Sequence, residues 1–118
     1  MKLLKVQNAS RHVELGWKIR RAASWTERAV GLLSTPALRA GDGLWISPCK
    51  SIHTFFMRYP IDVLFLDDGG RVLYQKTFQP WRISGWHAKS HGVLELASGT
   101  LNRTGTRVGD RIEFKELQ

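Results

Sequence analysis

From Val13 onward the chain alternates. Val13, Leu15, Trp17 and Ile19 interleave with Glu14, Gly16, Lys18 and Arg20. A period of two marks a strand with one buried face and one wet face. Leu3-Leu4-Lys5-Val6 predicts a shorter strand before it, and Asn8-Ala9-Ser10-Arg11 is turn material, so the two strands form a hairpin. The period then changes. Ser24-Trp25-Thr26-Glu27 is a capping box, with the serine hydroxyl placed to accept the Glu27 amide and the glutamate to reach back. It predicts one helix over about residues 25–33, with Trp25, Ala29, Leu32 and Leu33 near one face. Pro36 bars its continuation.

The remainder returns to short extended pieces. Gly41-Asp42-Gly43 reads as a turn and Leu44-Trp45-Ile46 as a strand. Ser47 to Ser51 reads as loop, and His53 to Met57 as apolar and extended. Ile61 to Leu66 is apolar at nearly every position, as a central strand buried on both faces is. Asp67-Asp68-Gly69-Gly70 is a hairpin signal, and Arg71 to Phe78 is the returning strand. Gln79 to Gly92 is irregular, Val93 to Leu96 is a strand, and Ser98 to Arg107 is a loop with room for a helical turn. Arg111 to Leu117 alternates, with Ile112 and Phe114 inward and Glu95, by the same rule, facing solvent. Six to eight short strands with one helix predict a mainly β fold: a small barrel or a two-layer, jelly-roll-like sandwich. Long parallel crossovers are not expected, which argues against a doubly wound α/β fold.

At 118 residues the chain is one domain, 1–118. With 42% hydrophobic and 24% charged residues it is neither disordered nor a membrane-spanning protein, since no apolar run reaches ~18–20 residues. The single cysteine excludes an internal disulfide framework, and with no apolar stretch of signal length at the start the expected compartment is the cytoplasm. The formal charge is +8 and uneven. Residues 1–59 hold ten basic and three acidic side chains, and residues 60–118 eight and seven. Such a field draws anions, and a nucleic acid held by the basic N-terminal half is one partner it allows. The bland account is a solvated basic surface.

The run from Pro48 to Asp67, Pro-Cys-Lys-Ser-Ile-His-Thr-Phe-Phe-Met-Arg-Tyr-Pro-Ile-Asp-Val-Leu-Phe-Leu-Asp, resembles the central motif of a prokaryotic family known as domain of unknown function 192. Thr26 to Leu33, Gly41 to Ile46, and Val93 to Gly99 with Gly109-Asp110 are similar to its flanking pieces, so the resemblance spans roughly residues 13–115. It implies a small mainly β domain, jelly-roll-like or barrel-like, and no established activity. Many relatives carry Trp-Met-Lys where this chain has Phe56-Met57-Arg58, which keeps the cation and removes an indole donor.

Four constellations could carry chemistry. Cys49 and His53 would make an activated thiol if the two side chains met, with Lys50 favouring the thiolate and Asp62 as a further candidate group. That reading makes the protein a Cys/His-dependent hydrolase or transferase. The plainer one is a partly buried cysteine and a histidine bonded to backbone. Cys49, His53, His87 and His91 form two equally spaced pairs that zinc accepts, but the context is loop and no metal or cofactor is assigned. Asp62, at the entrance of an apolar strand, needs a partner, and Arg58 is the expected one, either as a structural pair or as the anion hook of a pocket. Phe55, Phe56, Tyr59, Trp81 and Trp86 cluster in the irregular stretches, beside Arg58, Arg82 and Lys89, where they are core or stacking surface. The reading these favour is a non-catalytic binding domain for a small or polymeric anionic or sugar-like ligand. Its cleft lies around residues 49–62 and is lined by His53, Phe56, Arg58, Asp62, Trp81 and Trp86.

Overall fold

A computed structural model describes residues 3–22 and 37–117. Its strands are β1 (Leu3–Asn8), β2 (Val13–Ala22), β3 (Gly41–Ile46), β4 (Ile61–Leu66), β5 (Val72–Phe78), β6 (Gly92–Ala97) and β7 (Ile112–Glu116). A short helix, Thr100–Thr104, precedes β7. The fold is mainly β, as the alternation predicts. The helix expected over 25–33 lies outside the described residues.

All seven strands belong to one sheet, in the order β5-β4-β6-β3-β2-β1-β7. The β1–β2 and β4–β5 hairpins form where the turn residues place them. One pairing departs from expectation. β2 and β3 run parallel, with Ile19 beside Gly43 and Ala22 beside Ile46. A parallel neighbour requires a crossover of a dozen or more residues, and the chain between Ala22 and Gly41 is long enough to supply it. The sheet curls until its two edges meet at one end. Arg71 bridges Arg111, and the amides of Val72 and Ile112 donate to the carbonyls of Asp110 and Gly70 at 2.9 and 2.8 Å. Gly70, at φ 84°, is required there because a Cβ would strike the Ile112 carbonyl.

Curling divides the sheet into an inner and an outer face, and each has a core. Leu4, Val6, Leu15, Ile19, Trp45, Leu64, Leu66, Leu94, Leu96 and Ile112 pack together on one. Ile46, Ile61, Val63, Phe65, Phe78 and Val93 pack on the other. Strand β4 therefore serves both, which is why its sequence is apolar at every position but Asp62. The second cluster is covered by Ile52 and Met57 from the segment before β4 and by His87 from the segment before β6. The His87 ring lies 4.2 Å from that of Phe65 and 4.7 Å from that of Tyr74.

Four local expectations are corrected. Trp17 is exposed rather than on the buried face with Leu15 and Ile19, because the ladder with β3 shifts register between Gly16 and Lys18. Glu95 is fully buried rather than solvent-facing, because β6 is flanked by β4 and β3 and every one of its residues is buried. Gly41-Asp42-Gly43 is the start of β3 rather than a turn, since the parallel ladder with β2 begins at Gly41. His53 to Met57 is not extended throughout. Only His53 forms a bridge, with Ile83, and the chain turns at Phe55–Phe56.

A buried polar clasp ties β1 to the approach to β7. Asn8 Nδ2 donates to Thr106 Oγ1 at 3.0 Å and to Asp110 Oδ2 at 2.9 Å. Arg11 Nε and the Arg107 amide donate to the same Asp110 oxygen at 2.7 and 2.9 Å.

Candidate functional site

The two irregular stretches fold against each other and form one lobe. Residues 50–54 run antiparallel to residues 81–87. The amides of Thr54, Ser84 and His87 donate to the carbonyls of Arg82, Ile52 and Lys50 at 2.8, 3.0 and 2.8 Å, and the Trp81 amide donates to Thr54 O at 2.9 Å. Thr54 is the hinge pin of the pair. It is fully buried, its hydroxyl donates to Gln79 O at 2.7 Å, and it accepts the Arg82 amide at 2.9 Å. Ile52 and Met57 anchor the underside in the outer core.

That scaffold presents rings to solvent. The His53 ring stacks on Phe55 at 4.5 Å. Trp81 lies 5.9 Å from Phe55 and 4.7 Å from Phe56. Phe56 and Trp81 both have left-handed backbones, φ 68° and 64°. A bulky residue adopts that conformation at a cost, and such positions gather at working surfaces. Phe56 is 68% exposed, Trp81 55%, and Ile83 and Trp86 71% each. Segments 47–60 and 79–91 carry Lys50, Arg58, Arg82 and Lys89 and no aspartate or glutamate. Arg58, Arg82 and Lys89 are exposed. The Lys50 ammonium donates to the carbonyls of Ala88 and Ser90 at 2.6 and 3.0 Å and so braces the lobe.

The structure thus brings His53, Phe56 and Trp81 together with Phe55, and sets Arg58 and Trp86 in the same lobe. The rings of Phe56, Trp81 and Trp86 stand exposed. Asp62 is not part of the lobe. Its carboxylate is sealed in the sheet, Oδ1 accepting the Thr77 hydroxyl at 2.7 Å and Oδ2 the Leu101 amide at 2.8 Å, while Arg58 is exposed. The reason is alternation. Asp62 shares the inner-facing parity of Leu64 and Leu66, whereas the lobe covers the other face. Ile83 was missed by sequence reading, because an isolated aliphatic residue in an irregular stretch carries no signal until its exposure is known.

The candidate nucleophile makes other bonds. Cys49 Sγ donates to Ser51 O at 3.1 Å and the residue packs against the outer core. His53 Nδ1 accepts the Phe55 amide at 3.2 Å. The histidines of the zinc-type set are dispersed in role. His87 sits against Phe65 and Tyr74, and His91 Nε2 lies 3.2 Å from Ser47 Oγ. Among the described residues, no three His, Cys, Asp or Glu side chains gather as metal ligands.

Beside the lobe the surface is hollowed. Spaces of about 320 and 460 Å³ share Asp67, Asp68 and His91, with Trp45 and Phe114 lining one and Lys50 and Lys89 the other. Asp67 is committed to its own turn, Oδ1 accepting the Gly69 and Arg71 amides at 2.9 Å each.

A family model for DUF192, uncharacterized ACR, matches residues 5–114. The chain belongs to the DUF192 family. Curated relatives of this DUF192 domain include the UPF0127 protein of Pyrococcus horikoshii, 32% identical, the alignment covering 92% of this chain and 97% of the relative. Another, from Pyrococcus abyssi, is 32% identical over 91% and 94%. Two crystal structures share the fold. A candidate transcription regulator from Sinorhizobium meliloti superposes with a TM-score of 0.77 at 23% identity, covering 96% of this chain and 92% of that one. A protein of unknown function from Novosphingobium aromaticivorans gives 0.75 at 20% identity, covering 94% and 83%. Among the described residues, no helix is long and apolar enough to cross a membrane.

Proposed function

We propose that this DUF192 domain is a non-catalytic binding domain that engages an anionic partner through the aromatic lobe. Phe56, Trp81 and Trp86 supply contact surface, Arg58 supplies charge, and His53 holds Phe55 in place beneath them. One observation carries this reading. Phe56 and Trp81 are held more than half exposed, 4.7 Å apart, on backbones that a bulky residue adopts at a cost. Contact between the rings offsets part of that cost within the folded chain, and a partner that covers them adds to it. Arg58 and Arg82, exposed in two segments that hold no carboxylate, set the sign of the partner. A cytoplasmic setting fits the lone thiol of Cys49.

Tryptophan emission of the full chain tests the reading. It is titrated with polyphosphate, a single-stranded oligonucleotide, a sulfated oligosaccharide and anionic lipid vesicles. A saturable change with at least one of them, weakened by salt, is expected. A flat response to the whole panel overturns it.

A further inference from the structure

Resting on that reading, we infer that the partner of the aromatic lobe is the surface of an anionic lipid bilayer. The side chains at the lobe are of the wrong kind for a stacked base or sugar. Ile83 is 71% exposed and offers neither a π face nor a polar atom. Its gain comes only from leaving water for an apolar medium. The rings do not form a platform either. Phe56 is inclined 58° to Trp81 and Phe55 31°, a wedge rather than a row of parallel faces. A base-binding strip needs open faces for successive bases. A wedge of Phe, Trp and Ile suits the boundary between headgroups and acyl chains, where an indole keeps its N–H wet and its ring dry.

The charges complete the fit. Arg58, Arg82 and Lys89 are exposed in the same two segments, and such cations attract the phosphates of an anionic bilayer. Neither segment carries a carboxylate, but Asp67 and Asp68 line one hollow with Lys89, so Arg58 and Arg82 supply the charge. The mount is rigid, because Thr54 and the paired backbones of residues 50–54 and 81–87 fix the rings before contact. Insertion therefore orders little that is not already ordered.

Sedimentation of the full chain with phosphatidylcholine vesicles, with and without phosphatidylglycerol, tests this. Brominated acyl chains report ring entry by quenching tryptophan emission. Binding is expected only with phosphatidylglycerol, weaker in salt, with quenching. Arg58→Gln and Arg82→Gln each lower the partition about fivefold. Ile83→Ser with Trp86→Ser lowers it about tenfold or more, with circular dichroism and urea midpoint unchanged, since both side chains are mostly in water. Vesicle binding that survives this double change at the native level overturns the inference, as does binding without quenching. Binding to polyphosphate, the oligonucleotide or the oligosaccharide but not to vesicles overturns it while leaving the proposed function standing. Silence toward every probe overturns both.

Discussion

Asp62 Oδ2 accepts the backbone amide of Leu101 at 2.8 Å. A carboxylate in strand β4 thereby seats the first turn of the helix Thr100–Thr104, whose N-cap residue, Gly99, has no side chain to do so. The other oxygen takes the Thr77 hydroxyl from β5 at 2.7 Å. An acidic residue with the look of a site residue is thus a tie between the sheet and the β6–β7 connection.

Asp62→Ala accordingly leaves the Leu101 amide without its acceptor and costs about 1–3 kcal/mol. The urea midpoint falls with the slope unchanged. Binding by the protein that remains folded is the same as before, since Asp62 lies on the face of the sheet away from the lobe. An unchanged midpoint contradicts the structural role.

The clasp at Asp110 predicts a pH dependence. Burial pushes its carboxyl up, but hydrogen bonds from Asn8, Arg11 and the Arg107 amide, with the Arg11 charge, outweigh burial and hold it below the usual range. A folded value below the unfolded one, about 3.9, means the contribution is complete above that value and is lost as pH falls through the folded one. Urea midpoints of the native chain and Asp110→Asn therefore differ by a constant amount above about pH 5 and converge below about pH 4. Parallel curves across that window would show that the carboxylate's charge contributes nothing.

Phe56 and Trp81 separate stability from binding. Glycine at either position relieves a positive φ, while the lost ring contact acts the other way, so Phe56→Gly and Trp81→Gly leave stability within about 1 kcal/mol. Vesicle partition, by contrast, drops for both. A variant that unfolds while retaining partition at low temperature assigns the rings to the core instead.

Gly92 opens β6 directly under the Trp45 indole. A Cβ there would collide with that ring and approach the Ile46 carbonyl to 2.9 Å. Gly92→Ala costs about 1–3 kcal/mol and shifts the emission of Trp45, measurable in the urea transition.

Cys49 distinguishes binding from catalysis. Its thiol donates to Ser51 O and packs on the outer core, so Cys49→Ala leaves vesicle partition unchanged. Loss of a turnover activity in this variant would favour the hydrolase or transferase reading.

The alternation of Val13 to Ile19, the turn at Asp67–Gly70 and the run Ile61 to Leu66, apolar but for Asp62, determined a mainly β domain with at least one strand buried on both faces. Those signals are local, because periodicity and turn chemistry act over a few residues. The resemblance to DUF192 was legible for the same reason, in contiguous motifs. Tertiary structure alone decided which polar residues meet. Asp62 went to Leu101 and Thr77 rather than Arg58, and Glu95 went inside, because the neighbours of a strand are set by sheet order and not by sequence distance. It alone also drew residues 50–54 alongside residues 81–87, set Phe56 against Trp81 and left Ile83 exposed. Exposure is a property of what covers a residue, and that is set by the tertiary fold rather than by the neighbouring sequence.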